Sequence, residues 1–207
     1  MENFDRKKHW ENIYETKELK DVSWYQPTPE TSIQLINSLN LSKDAKIIDI
    51  GGGDSFLVDH LIDLGYLNIT VLDISIAAIN RAKKRLGEKA NTIQWIVSDI
   101  TQFQPTEKYD VWHDRAAFHF LTAQDDVQTY TSTLNNSTST GSHFILGTFS
   151  DQGPTKCSGI EIKQYTKSEM INTFQEHWTL NKSNNVDHPT PFNTTQNFIF
   201  SLFDKIN

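Results

Sequence analysis

The chain has 207 residues, enough for one well-buried core and short for two, and its 37% hydrophobic content suits a globular protein. No apolar run approaches the ~18 residues of a membrane span, and the charged stretch 1–8 lacks a signal-peptide core. The formal net charge of −7 disfavours nucleic acid as a partner, while a lone cysteine, Cys157, rules out an internal disulfide and a cysteine-built zinc site, so a cytoplasmic setting is expected.

Helical spacing covers 6–15 and, after the break at Pro27 and Pro29, 29–39. The aromatic run Val22-Ser23-Trp24-Tyr25-Gln26 lies between them. From Ala45 the pattern alternates between short apolar runs and helices. A strand over 46–50 ends at a glycine loop, and helix 56–64 follows. A strand over 69–72 ends at Asp73 before helix 76–86, whose basic residues, Arg81 to Lys89, read as a solvated face. A strand over 92–97 ends before Asp99. A strand over 109–113 precedes helix 125–134, and the Ser/Thr/Asn run 135–141 reads as helix end and loop. A fifth strand covers 143–148. After helix 167–175, strand-like runs 177–181 and 198–203 have no helix between them and are expected to pair antiparallel. Strands alternating with helices of this length imply an α/β fold, a parallel sheet covered on both faces.

The run Asp49-Ile50-Gly51-Gly52-Gly53-Asp54-Ser55 follows the first strand and opens a helix. Glycines let the backbone turn sharply and approach a ligand, and a helix start offers unpaired N–H groups. A dinucleotide fingerprint needs a third glycine where this chain has Phe56. Asp49 would sit poorly beside a pyrophosphate and suits a cofactor bearing an ammonium and a sulfonium. Asp73 ends strand two, where a carboxylate accepts both ribose hydroxyls, and Asp99 follows strand three, where it meets an adenine amino group. Ile74 and Ile100 are placed to sandwich the adenine ring. Singly, such acids are commonly caps or loop residues. Three at successive strand ends mark the ligand-binding edge of an open α/β sheet.

With those residues in place, the chain resembles the class I S-adenosylmethionine-dependent methyltransferases, on Asp49 through Gly53, Asp73 and Asp99. It is similar more narrowly to a family of small methyltransferase-domain proteins. The shared segments are His9-Trp10 with Tyr14, the 22–26 run, Trp112-His113-Asp114-Arg115 with Phe118-His119-Phe120-Leu121, Gly153-Pro154 with Lys156-Cys157-Ser158-Gly159, and His188, Thr190-Pro191 and Gln196. The resemblance implies a Rossmann-like seven-stranded mixed sheet ordered 3-2-1-4-5-7-6 with strand seven antiparallel. It also implies S-adenosyl-L-methionine as cofactor and one methyltransferase domain over 1–207, with 1–44 a helical lid and 45–207 the core. The N-terminal aromatics resemble the lid of thiopurine-type methyltransferases. On that resemblance Trp10 and Tyr14 shield the methionine end while Trp24 and Tyr25 face the acceptor; the alternative is that they staple the N-terminal helices to the core.

Methyl transfer from a sulfonium needs mainly positioning and exclusion of water, and a base only where the acceptor arrives protonated. The catalytic candidates are Asp114, facing the cofactor's ammonium, Arg115, anchoring an acidic acceptor or pairing with Asp114, and His119, a base or a buried structural histidine. His113 is expected in the core. Cys157 is placed to border the acceptor pocket, and His188-Pro189-Thr190-Pro191 lines that pocket or forms a rigid turn. His113, His119 and His188 lack metal-ligand spacing, so no metal is expected. The Pro-Cys pair of cytosine-methylating enzymes and the Asp/Asn-Pro-Pro-aromatic signature of amino-methylating nucleic-acid enzymes are both missing. The expected function is methylation of a small-molecule or protein acceptor. The alternatives are a non-catalytic S-adenosylmethionine-binding regulator and a nicotinamide-dependent oxidoreductase.

Overall fold

Ile47, Ile48 and Ile50 make a nearly continuous β-branched run, the pattern of a strand buried on both faces. In the computed structural model, which describes residues 4–207, this run is β1 (Lys46–Ile50), near the middle of a seven-stranded sheet. Residues 1–3 of the charged stretch 1–8 lie outside the described residues. β2 (Asn68–Asp73), β3 (Ile93–Val97), β4 (Tyr109–Arg115) and β5 (Thr138–Phe149) run parallel to β1. A two-stranded hairpin follows, β6 (Lys156–Cys157) and β7 (Ile160–Glu161). The sheet is completed by β8 (Trp178–Pro189) and β9 (Thr195–Lys205), with β9 antiparallel to both its neighbours. The order is β3-β2-β1-β4-β5-β9-β8. Counting only the seven strands of this sheet, it is the expected 3-2-1-4-5-7-6.

The helices are α1 (Arg6–Thr16), α2 (Glu30–Ser38), α3 (Leu57–Asp63), α4 (Ile76–Leu86), α5 (Gln124–Asn136) and α6 (Lys167–Phe174). Alternation along each strand sends side chains to two separate cores. Ile48, Trp112 and Phe144 pack with Tyr130 and Leu134 of α5 and Phe174 of α6. Ile47, Val111 and Ile145 pack with Ile36 of α2 and Leu61 of α3. Each large side chain so buried contributes roughly 1.5–3 kcal/mol. Ser75 caps α4 by accepting the Ala78 N–H (3.1 Å), which starts that helix just beyond Asp73. Among the described residues no helix is long and apolar enough to cross a membrane.

Two expectations need correction. Ser139, Thr140 and Gly141 belong to β5 rather than to a loop, because Thr138 pairs with Tyr109 across a bulge. The last two strands extend well beyond 177–181 and 198–203, to 12 and 11 residues. Beyond these, Cys157-Ser158-Gly159-Ile160 forms a tight hairpin. Ser158 and Gly159 both take positive φ (51° and 81°), the backbone of a two-residue turn that matches strand twist.

Candidate active site

Chain order along the sheet reverses between β1 and β4, and a parallel sheet opens a crevice at its C-terminal edge there. A cavity occupies that edge. Asp49 of β1 lies on its floor, only 3% exposed. His113, its register partner on β4, donates Nδ1–H to Asp49 Oδ1 (2.6 Å), and Ser32 Oγ of α2 donates to His113 Nε2 (2.8 Å). A carboxylate only accepts, which assigns the imidazole proton to Nδ1. The glycine loop is sterically required. A Cβ on Gly51, at φ +66°, would lie 2.7 Å from the Ala117 Cβ, and one on Gly52 would lie 2.5 Å from Asp49 Oδ2. Gly51 and Gly52 line the cavity. Gly53 does not; it packs on Asp73, where a Cβ would meet Oδ2 at 2.5 Å.

Asp73 ends β2, is 4% exposed and accepts the Ser75 N–H (2.8 Å) through Oδ1. Burial pushes its carboxyl up to about 7, with the charges of Asp49 and Glu11 adding to the effect. Asp99, beyond β3, accepts from the Thr101 backbone N–H (2.9 Å) and hydroxyl (2.8 Å) through Oδ1. Its Oδ2 lies 3.5 Å from Arg6 Nη1. Ile74 and Ile100 line the cavity beside these two acids. Arg6 also pairs with Asp126 at the start of α5, so α1 is tied across the crevice. Glu11 holds the same helix to α4 by accepting the Ala77 N–H (3.1 Å).

Trp10 and Tyr14 of α1 and Trp24 roof the cavity. Trp10 meets Phe120 (4.9 Å between ring centroids) and Trp24 (5.8 Å) edge to face, so the same rings line the cavity and fasten α1 to the body. Tyr25 lies outside the cavity and packs on Phe56 (6.2 Å). On the opposite side Arg115, Phe149 and Phe198 come from the ends of β4, β5 and β9, joined by Cys157 of β6 and Gln196. Burial pushes the Cys157 thiol up, which keeps it protonated.

Asp114 is displaced from the expected position, and His119 takes the second of its two expected readings, a buried structural histidine. Strand alternation turns Asp114 to the face opposite His113 and Arg115. It accepts the Ala117 N–H (3.0 Å), the Phe118 N–H (3.2 Å) and the Tyr130 hydroxyl (2.9 Å), so it braces the turn after β4, does not line the cavity and does not pair with Arg115. Burial pushes its carboxyl up to about 6 against those hydrogen bonds. His119 is fully buried outside the cavity, stacked on Phe149 (4.7 Å), with Nδ1 accepting the Phe149 N–H (3.4 Å). Burial, aided by the Arg115 charge, pushes it down to about 3, so it is neutral at physiological pH. His113, expected in the core, is buried but reaches the cavity floor. His188 lies outside the cavity and clamps the N-terminal aromatic segment: Nε2–H donates to the Ser23 carbonyl (2.7 Å) and Nδ1 accepts from Gln26 Nε2 (3.0 Å).

Sequence reasoning passed over Arg6, Phe120, Phe149, Gln196 and Phe198 as cavity residues. A signal existed for one of them. Arg6, Trp10 and Tyr14 recur every four residues and therefore share one face of α1.

Comparison with known proteins agrees with this architecture. The chain is 25% identical over 124 residues to the eEF1A lysine and N-terminal methyltransferase of Bos taurus, a match taking in 58% of this chain but only 17% of that protein. It is 25% identical over 192 residues to EEF1A lysine methyltransferase 2 of Mus musculus, covering 84% of this chain and 72% of that protein. The N-methyltransferase NodS from Bradyrhizobium japonicum WM9, solved in complex with S-adenosyl-L-homocysteine, shares the fold with a TM-score of 0.74 at 19% identity, covering 98% of this chain and 100% of that chain. Residues 47–141, from β1 into β5, match the family model described as Methyltransferase domain.

Proposed function

We propose that the protein binds S-adenosyl-L-methionine and transfers its methyl group to a small-molecule or protein acceptor. One observation carries this reading: Asp49, Asp73 and Asp99, from three adjacent strands, line a single cavity floored by the glycine loop. The residues present fit the cofactor. A side chain at Gly52 would collide with Asp49 Oδ2, so glycine there keeps the floor open beside the carboxylate. Asp73 would accept the ribose hydroxyls, Asp99 with Ile74 and Ile100 would hold the adenine, and Asp49 would face the positively charged methionine end. An acid at that place opposes a pyrophosphate, which argues against a nicotinamide cofactor. The methyltransferase relatives and the match over residues 47–141 support the same choice.

When bound, the cofactor supplies an activated methyl group on a sulfonium. The work left to this chain is to position the two reactants and exclude water. His113 and Ser32 hold the Asp49 carboxylate in one orientation. Trp10, Tyr14, Trp24 and Phe120 line the cavity and would cover the bound cofactor as an aromatic lid. Incubation of the protein with methyl-labelled S-adenosyl-L-methionine and a size-fractionated cell extract tests the reading. Label in a small-molecule or a protein fraction supports transfer and separates the two acceptor classes. Cofactor binding without label in any fraction would replace the enzyme with a binding protein.

A further inference from the structure

The cavity rim is divided by charge. β3, β2 and β1 bring Asp99, Asp73 and Asp49, whereas β4, β5 and β9 bring Arg115, Phe149 and Phe198. The two arginines on the cavity wall differ in their partners. Arg6 is engaged by Asp99 and Asp126. Arg115 has no salt-bridged carboxylate among the described residues, because its neighbour Asp114 points to the other face of the sheet. Its Nη1 donates to the Trp24 carbonyl (3.2 Å), and its guanidinium carbon lies 5.5 Å from the Phe198 ring centroid. Nη2 is buried and makes no hydrogen bond among the described residues. Gln196 also lines the cavity, and its Oε1 is likewise buried with no hydrogen-bond partner among the described residues.

A guanidinium keeps its charge at physiological pH, and burial lowers Arg115 only to about 10. Leaving a charged N–H buried and unpaired is costly, so the geometry favours a ligand that completes it. The surrounding walls are aromatic: Trp24, Phe120, Phe149 and Phe198. We infer that the methyl acceptor is a small molecule with an apolar, planar body and a carboxylate, and that Arg115 Nη2 takes this carboxylate. The inference rests on the methyl-transfer reading above. It separates the acceptor from a lysine side chain, whose ammonium the unpaired Arg115 charge would repel.

Isothermal titration tests this without knowledge of the natural acceptor. S-adenosyl-L-homocysteine is titrated first, and the loaded protein then receives a panel of benzoate, phenylacetate and indole-3-acetate, with benzamide and benzylamine as neutral and cationic counterparts. At least one carboxylate is expected to bind at least tenfold more tightly than benzamide, with benzylamine the weakest. Arg115→Gln is expected to abolish that preference and Arg115→Lys to restore part of it, each with S-adenosyl-L-homocysteine affinity within about twofold of the parent. Failure of S-adenosyl-L-homocysteine to bind the parent protein would remove the methyl-transfer reading and the inference with it. Normal cofactor binding with no carboxylate preference, or with benzylamine preferred, would overturn the inference alone. So would an Arg115→Gln protein that loses S-adenosyl-L-homocysteine tenfold but keeps 5′-methylthioadenosine, since Arg115 would then hold the cofactor's own carboxylate.

Discussion

His113 Nδ1 lies 2.6 Å from Asp49 Oδ1, across the β1–β4 junction where the sheet reverses order. The pair is buried, so the imidazole fixes which way the carboxylate faces before any ligand arrives. His113→Phe removes that donor while keeping a ring of similar breadth. S-adenosyl-L-homocysteine affinity is expected to fall roughly tenfold, about 1.4 kcal/mol. An unchanged dissociation constant by titration calorimetry would show that Asp49 needs no such support.

Asp73 gives the site a pH dependence of definite sign. Its carboxyl stands at about 7 in the ligand-free fold, and ribose hydroxyls are donors that require the ionised form. Cofactor affinity should therefore rise with pH below about 7, by up to about tenfold per unit, and level off above it. Stability runs the other way. The folded carboxyl binds its proton more tightly than the unfolded one, so its favourable contribution is present in acid and is lost as pH climbs from about 4 through about 7. Asp73→Asn should flatten the affinity profile over pH 6–8 and make the ligand-free protein more heat-stable than the parent at pH 8.

Gly52→Ala tests the floor of the cavity. Its Cβ would sit 2.5 Å from Asp49 Oδ2 and 2.9 Å from the Val71 side chain. The carboxylate must move, so the variant should fold with a loss of about 1–3 kcal/mol and bind S-adenosyl-L-homocysteine at least tenfold more weakly. Parent-like binding would place the cofactor away from this loop.

Asp114 should behave as a structural acid. Asp114→Ala strands two backbone N–H groups and the Tyr130 hydroxyl, for a loss of about 3 kcal/mol or more in denaturant unfolding. Asp114→Asn retains an oxygen for both N–H groups and should cost nearer 1 kcal/mol, with cofactor affinity unaltered. A large affinity loss in a stable Asp114→Asn protein would return this residue to the site.

The succession of strands and helices and the three rim acids were legible because they depend on local pattern: apolar runs, helices between them, and an acid or glycine where each run stops. The order of the strands in the sheet was implied by the family resemblance. Other features depend on partners distant in sequence. β8 contains Asn181-Lys182-Ser183-Asn184-Asn185, with no apolar alternation, and its extended form comes from pairing with β9 at the sheet edge. Arg6 acquires its place from Asp99 and Asp126, far along the chain. Asp114 was legible and misread. With a strand period of two it cannot share a face with both His113 and Arg115, and choosing those two sends it toward Tyr130.

The central claim is that the cavity grips an adenosyl group bearing a positive charge through Asp49, Asp73 and Asp99. Titration calorimetry of the parent protein and Asp73→Ala with S-adenosyl-L-homocysteine and with NAD tests it most directly. The parent protein should bind S-adenosyl-L-homocysteine at micromolar concentration, the variant more weakly by about 1–3 kcal/mol, and neither should bind NAD. Tight NAD binding, or a variant that holds S-adenosyl-L-homocysteine as well as the parent, would contradict it.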